Sequence, residues 1–137
     1  MGLREQCLIR RPEITPIRML LADDSDVIRR VLFVFLEDEP LIEIVGEAKD
    51  FTELLEKALA LKPRIVLMDL HMRDQYKFKP EFVRSELQAS ADHVLAMSYR
   101  NDDDDAVGLS NSYGASLLLD KSKLITELVR TVEKLCA

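Results

Sequence analysis

Short apolar runs alternate with stretches of helical period along this chain. The runs Ile17 to Ala22, Leu41 to Val45, Arg64 to Met68, His93 to Met97 and Ala115 to Leu119 have strand length, and most are continuously apolar. That is the pattern of strands covered on both faces. Between them, Ile28, Val31, Leu32 and Phe35 follow the i, i+3, i+4, i+7 spacing of a helix face after an Asp24-Ser25-Asp26 cap cluster. Phe51, Leu54, Leu55, Ala58 and Leu59 repeat the spacing as far as Leu61, beyond which Pro63 stops it, and Ile125, Leu128, Val129, Val132 and Leu135 form a last helix. From Phe78 to Ala89 and from Asp102 to Ser110 the period is thinner, resting on Phe82, Val83 and Leu87 and on Val107 and Leu109. Short or loosely packed helices are predicted there. Five strand–helix pairs predict an α/β fold around a parallel sheet. Residues 1–16, with Arg4, Arg10, Arg11, Pro12 and Pro16, carry neither period and read as an irregular lead-in to one domain over 17–137.

Composition narrows the class. A chain of 137 residues, 47% hydrophobic and 32% charged, suits one soluble domain, and one this long buries roughly 70% of its unfolded surface without disulfides or a structural metal. Cys7 and Cys136 stand near opposite ends with no CxxC or Cys/His cluster, which suits a reducing cytoplasm. With 19 basic and 25 acidic residues the net charge is −6. Direct nucleic-acid binding through a broad basic face is thereby disfavoured, and cations or basic partners fit better. No apolar run approaches the ~18 residues that cross a bilayer, and the leader lacks the apolar stretch of a signal peptide. A cytoplasmic location with no membrane contact is expected.

In an open α/β sheet, ligands sit outside the carboxyl ends of the strands. The polar residues at those ends are Asp23 and Asp24, Asp69, Ser98 and Lys121. Taken singly, Asp23 or Asp24 reads as a helix cap, Asp69 as a turn cap and Ser98 as a loop hydroxyl. Parallel pairing, however, brings all five to one edge although they span positions 23 to 121. Three converging carboxylates repel one another unless a cation or Lys121 compensates, and hard oxygen ligands in that number suit Mg²⁺ together with a phosphoryl oxygen.

The segments ADD at 22 to 24, LMDLHM at 67 to 72, MS at 97 to 98 and GASLLLDK at 114 to 121 together resemble the receiver domain of bacterial two-component response regulators, over about residues 17 to 136. The resemblance implies a flavodoxin-like three-layer sandwich, a five-stranded parallel sheet of order 2-1-3-4-5 with five helices. It implies that Asp69 accepts a phosphoryl group from a histidine kinase or phosphotransfer protein. Asp23, Asp24, Asp69 and the backbone carbonyl of His71 would hold Mg²⁺, while Ser98 and Lys121 hold the phosphoryl oxygens. On this reading the chain is a phosphoacceptor that promotes its own aspartyl phosphorylation and dephosphorylation and is not an enzyme acting on a small molecule. Phosphorylation would switch partner or output-domain interactions, and a homodimer through the fourth helix, fifth strand and fifth helix is left open.

Four positions depart from the family. Arg73 stands where receivers carry a proline after the methionine, and the glycine that follows is missing as well. Tyr99 replaces a small residue beside the hydroxyl, its ring either narrowing the site or swinging outward. Leu118 replaces the aromatic switch residue, and Ser122 replaces the proline after the lysine and is a candidate cap for the last helix. Arg73 either reaches the phosphoryl group or is a solvated surface residue. These departures suggest the alternative of an atypical receiver acting as a phosphorylation-independent interaction module. The run Asp102 to Asp105 reads as a solvated helix N-terminus, and the side chains of His71 and His93 as structural or solvent-facing.

Overall fold

The computed structural model describes residues 15–100 and 102–136. The lead-in expected over 1–16 therefore lies almost wholly outside the described residues. The elements are β1 (Ile17–Ala22), α1 (Asp26–Leu36), β2 (Ile42–Ala48), α2 (Phe51–Leu61), β3 (Ile65–Asp69), α3 (Pro80–Ser90), β4 (His93–Ser98), α4 (Asp104–Ser112), β5 (Leu117–Asp120) and α5 (Leu124–Cys136), with single 3₁₀ turns at Gln75–Lys77 and Lys121–Lys123. All strand pairs are parallel, in the order β2-β1-β3-β4-β5. The flavodoxin-like expectation is met.

Strand parity divides the core. Because successive side chains point to opposite faces, Leu20, Ala22, Val66, Met68, Val94 and Ala96 pack with Phe51, Leu54, Val83, Leu87 and Tyr113 from α2, α3 and the end of α4. Met19, Leu21, Ile65, Leu67, Leu95 and Met97 pack on the other face with Leu32, Leu36, Leu124, Leu128 and Val132 from α1 and α5. Every residue of β3 is buried, as a central strand requires. β2, at the edge, is mostly half-buried.

The helix ends follow local chemistry. Ser25 caps α1 by accepting from Ile28 N, and Asp50 caps α2 by accepting from Glu53 N. Pro80 occupies the first turn of α3. The strand ends differ from the sequence reading by one to three residues. β2 begins at Ile42 and runs on to Ala48, and β5 begins only at Leu117, since Ala115 N and Ser116 N bond to Ser110 O and Val94 O before the strand is established. The two thinner helices are present as Pro80–Ser90 and Asp104–Ser112. Tertiary burial of Val83 and Leu87, and of Ala106 and Ser110, supplies what their periodicity understated.

Gly114 closes α4 with φ of 78°, and a Cβ there would lie 2.6 Å from Arg84 Cγ. Both backbone conformation and space demand glycine. Gly114→Ala is expected to lower unfolding free energy by about 1–3 kcal/mol, read as a lower urea midpoint at unchanged slope.

Candidate functional site

The carboxyl ends of β1, β3, β4 and β5 converge on one edge of the sheet. Asp23 follows β1, its N–H bonded to Ala48 O at 3.0 Å, and it is fully buried; its Oδ1 accepts from Ser25 N at 2.8 Å. Asp69 is the last residue of β3, and its Oδ1 accepts from His71 N at 3.2 Å. Carboxylate oxygens of Asp23, half-buried Asp24 and Asp69 lie within 4.8 Å of one another. Lys121, just past β5, reaches into this cluster: its Nζ is 2.7 Å from Asp23 Oδ2 and 3.3 Å from Asp69 Oδ2. Ser98 ends β4 beside them, buried, with Oγ accepting from Arg100 N at 3.0 Å. The structure thus brings the five residues read from the strand ends to a single edge.

Electrostatics follow from burial. Loss of hydration, then the neighbouring charge of Asp23, pushes the Asp69 carboxyl up to about 6, against the Lys121 ammonium and the His71 amide that favour its ionised form. Burial opposes the charge on Lys121, but Asp23 and Asp69 outweigh it and hold the ammonium above the ordinary lysine value. Asp23 Oδ2 is fully buried and pairs with the Lys121 ammonium at 2.7 Å. Three carboxylates whose oxygens lie this close together are a donor set able to hold a metal ion.

No family model matches the chain. Over 122 residues, 86% of the chain, it is 34% identical to the transcriptional regulatory protein LiaR of Bacillus subtilis, 56% of whose length it spans. A stretch of 57 residues is 49% identical to a protein-glutamate methylesterase/protein-glutamine glutaminase of Symbiobacterium thermophilum, covering 16% of that protein. The fold superposes on the signal receiver domain of NarL from Mycobacterium tuberculosis with a TM-score of 0.74 at 25% identity, over 87% of this chain and 94% of that one. On the response regulator domain of Thermotoga maritima CheB it superposes with a TM-score of 0.73 at 25% identity, over 88% and 96%. The chain belongs to the receiver domains of response regulators. It spans about half the length of LiaR and a small part of the methylesterase, so the likeness concerns the receiver domain and not the remainder of those proteins.

Several side chains of this receiver domain were not legible as parts of the site. Arg29 of α1, in sequence an ordinary polar-face residue, donates to the backbone carbonyl of Asp23 and pairs with Asp26 and with Glu47 at 3.2 Å. It ties the acidic loop to α1 and β2. Asp74 is buried and accepts from Phe51 N at 2.8 Å, Thr52 N at 3.0 Å and Thr52 Oγ1 at 2.7 Å. It thereby anchors the loop after Asp69 to the N-terminus of α2. Met72 N donates to Gln75 Oε1 at 3.1 Å, so this loop is held by hydrogen bonds where proline and glycine are lacking. The only advance signal was an Asp one position beyond Arg73, and its partner lies 23 residues earlier.

The departing residues also find places. Arg73 is exposed, and its Nη2 donates to Asp24 O at 3.2 Å. Tyr99 places its ring centroid 5.3 Å from Lys121 Nζ. Leu118 is half-buried against the α2–α4 face. Ser122 does not cap α5; instead Asp120 Oδ1 accepts from Ser122 N and Oγ, at 2.9 and 2.7 Å, and caps the 3₁₀ turn that carries Lys121. Asp103 caps α4 by accepting from Asp105 N at 2.8 Å. His71 is exposed and His93 half-buried.

Burial alone would raise the Asp74 carboxyl, but its hydrogen bonds from Phe51 and Thr52 win and hold it below the usual carboxylate range. A depressed folded-state value contributes stability above the unfolded value of about 3.9, lost as pH falls through the lower folded value. Asp74→Ala, which leaves the buried Phe51 N–H unpaired, should cost about 1–3 kcal/mol at neutral pH. The gap to the parent in urea denaturation should narrow below about pH 4.

Proposed function

We propose that this receiver domain accepts a phosphoryl group on Asp69 from a histidine kinase or phosphotransfer protein, and that the modified state changes which partner or output domain it binds. The observation that carries this reading is the Asp69 carboxylate at the end of β3 with an ammonium 3.3 Å away and two further carboxylates beside it. In the transfer, an Asp69 oxygen attacks phosphorus and the bond from phosphorus to the donor imidazole nitrogen breaks. The electron pair stays on that nitrogen, which takes a proton from solvent. Lys121 offsets charge on the transferring oxygens, and the Ser98 hydroxyl orients them.

Asp23, Asp24, Asp69 and the His71 carbonyl would hold Mg²⁺, a hard cation that suits oxygen donors, and the convergence of the three carboxylates within 4.8 Å of one another supports this fit. Bound there, Mg²⁺ supplies further charge neutralisation on the phosphoryl oxygens. Return to the carboxylate needs only water: it attacks phosphorus, the bond to the Asp69 oxygen breaks with its electron pair on the carboxylate, and a water proton passes to solvent. Val107 and Leu117, exposed on α4 and β5, support a homodimer through α4, β5 and α5. No helix among the described residues is long and apolar enough to cross a membrane. The second reading, an interaction module independent of phosphorylation, draws on Leu118 and on the near-complete burial of Asp69.

Incubation with phosphoramidate and Mg²⁺ should add one phosphoryl group by intact mass, and Asp69→Asn should lose that mass while keeping its melting temperature. An unmodified parent would favour the interaction module. Mg²⁺ should also stabilise the unmodified protein, by about 2.7 kcal/mol at 100 times its Kd. Asp24→Ala should remove most of that gain and Asp104→Ala none of it, as read by thermal denaturation.

A further inference from the structure

The sheet ends at β2, which among the described residues pairs only with β1. The backbone groups on its outer side therefore have no described strand to bond. Beside this edge α1 is apolar on more than its core face: Leu32 and Leu36 are buried, yet Phe33 is 44% and Val34 56% exposed. Two adjoining hollows run between helix and strand, both bounded by Phe33 and Glu37. One, of about 520 Å³, reaches Glu47, and the other, of about 220 Å³, is floored by Leu36, Ile42 and Ile44 with Glu43 at its rim. Arg29 answers Asp26 and Glu47, while Glu37 and Glu43 pair with no other described residue. An apolar groove along an open strand edge suits an added extended segment. The acidic rim repels a second copy of the same edge and favours a basic occupant.

The chain carries a segment of that chemistry. Residues 1–14, outside the described residues, hold three arginines against two glutamates in a protein whose net charge is −6. Leu3, Cys7 and Ile9 stand at even spacing with Arg4 and Arg10 at alternate positions, interrupted by Glu5 and Leu8, and no proline precedes Pro12. That alternation, laid out as a strand, puts apolar groups on one face and cations on the other. We infer that residues 3–11 dock in the groove between α1 and β2 and close the sheet edge. Ile17 lies opposite Ile42 and its N–H bonds to Leu41 O at 2.7 Å, so the chain enters β1 beside the start of β2. The outer side of β2 is two strand spacings away, ~10 Å, which about three extended residues cover. Residues 12–16 suffice for that crossing. Ile9 and Arg11 then share the face of Ile42 and Ile44, toward Phe33 and Glu37, and Arg10 takes the face of Glu43. Arg11 also meets the negative end of α1. Docking shields Phe33 and Val34 from water and denies the edge of β2 to other chains.

The test reads amide hydrogen exchange along β2 in the whole chain by NMR, with the amides of the buried central strand β3 reporting an intact fold in every variant. In the parent, the β2 amides that do not bond β1 should be protected. Arg10→Glu combined with Arg11→Glu should speed their exchange about 2- to 30-fold, the range that two surface ion pairs span. Adding Glu37→Arg and Glu43→Arg returns opposite charges to the same places and should restore protection. Ile9→Asp should speed exchange as well, and those groove reversals should not rescue it. Outer β2 amides that exchange in the parent like an unstructured peptide overturn the inference. So does protection that the Arg10 and Arg11 reversals leave intact, or that the groove reversals fail to restore. Protection that fades on dilution, with a dimer seen by sedimentation, overturns it too and assigns the edge to a second copy. None of these outcomes depends on phosphorylation of Asp69.

Discussion

One ammonium stands between two buried carboxylates that would otherwise face each other across the end of the sheet. Lys121 reaches both Asp23 and Asp69, and removing either partner class would leave a buried charge uncompensated, at a cost of several kcal/mol. The contact also joins the two ends of the chain's order, since Asp23 follows the first strand and Lys121 the last. Because β1, β3, β4 and β5 lie side by side, closing it requires the whole sheet to be assembled in one register. The site is therefore a consequence of the fold's completion and cannot exist in a part of it.

The two-sided core gives that sheet its rigidity. Alternate residues of β1, β3 and β4 are committed to opposite faces, with Met19, Leu21 and Leu67 toward α1 and α5 and Leu20, Val66 and Met68 toward α2 to α4. A slip of one residue in β3 would exchange the faces of its entire side-chain set. It would also carry Asp69 away from Lys121. Packing and chemistry are thus specified by the same register, which is why a five-residue strand can aim a nucleophile.

The loops around the cluster are held by polar contacts of this chain's own making. Arg29 binds the Asp23 carbonyl from α1, Arg73 binds the Asp24 carbonyl from the loop after β3, and Asp74 pins that loop to α2. Each hydrogen bond reaches a backbone group that would otherwise be left to solvent or to nothing. Together they replace the stiffness that a proline turn would supply, and they place Arg73 at the site in a way that hydropathy does not foresee.

Local order was written in the sequence because it depends on near neighbours. Continuous apolar runs marked β1, β3 and β4, the Asp24-Ser25-Asp26 cluster marked the start of α1, and polar residues at strand ends named Asp23, Asp24, Asp69, Ser98 and Lys121 as one edge. Likeness of short motifs to receiver domains supplied the strand order, which periodicity alone does not contain. Contacts across long separations were decided only by the tertiary structure. Asp74 looks like any loop acid until Phe51 and Thr52 are brought to it, and Arg29 like any polar-face residue until Asp23 and Glu47 surround it. Tyr99 had two directions open until Lys121 took its place beneath the ring. A side chain's partner depends on distances that the fold sets, and those distances are invisible to a pattern of two or 3.6 residues.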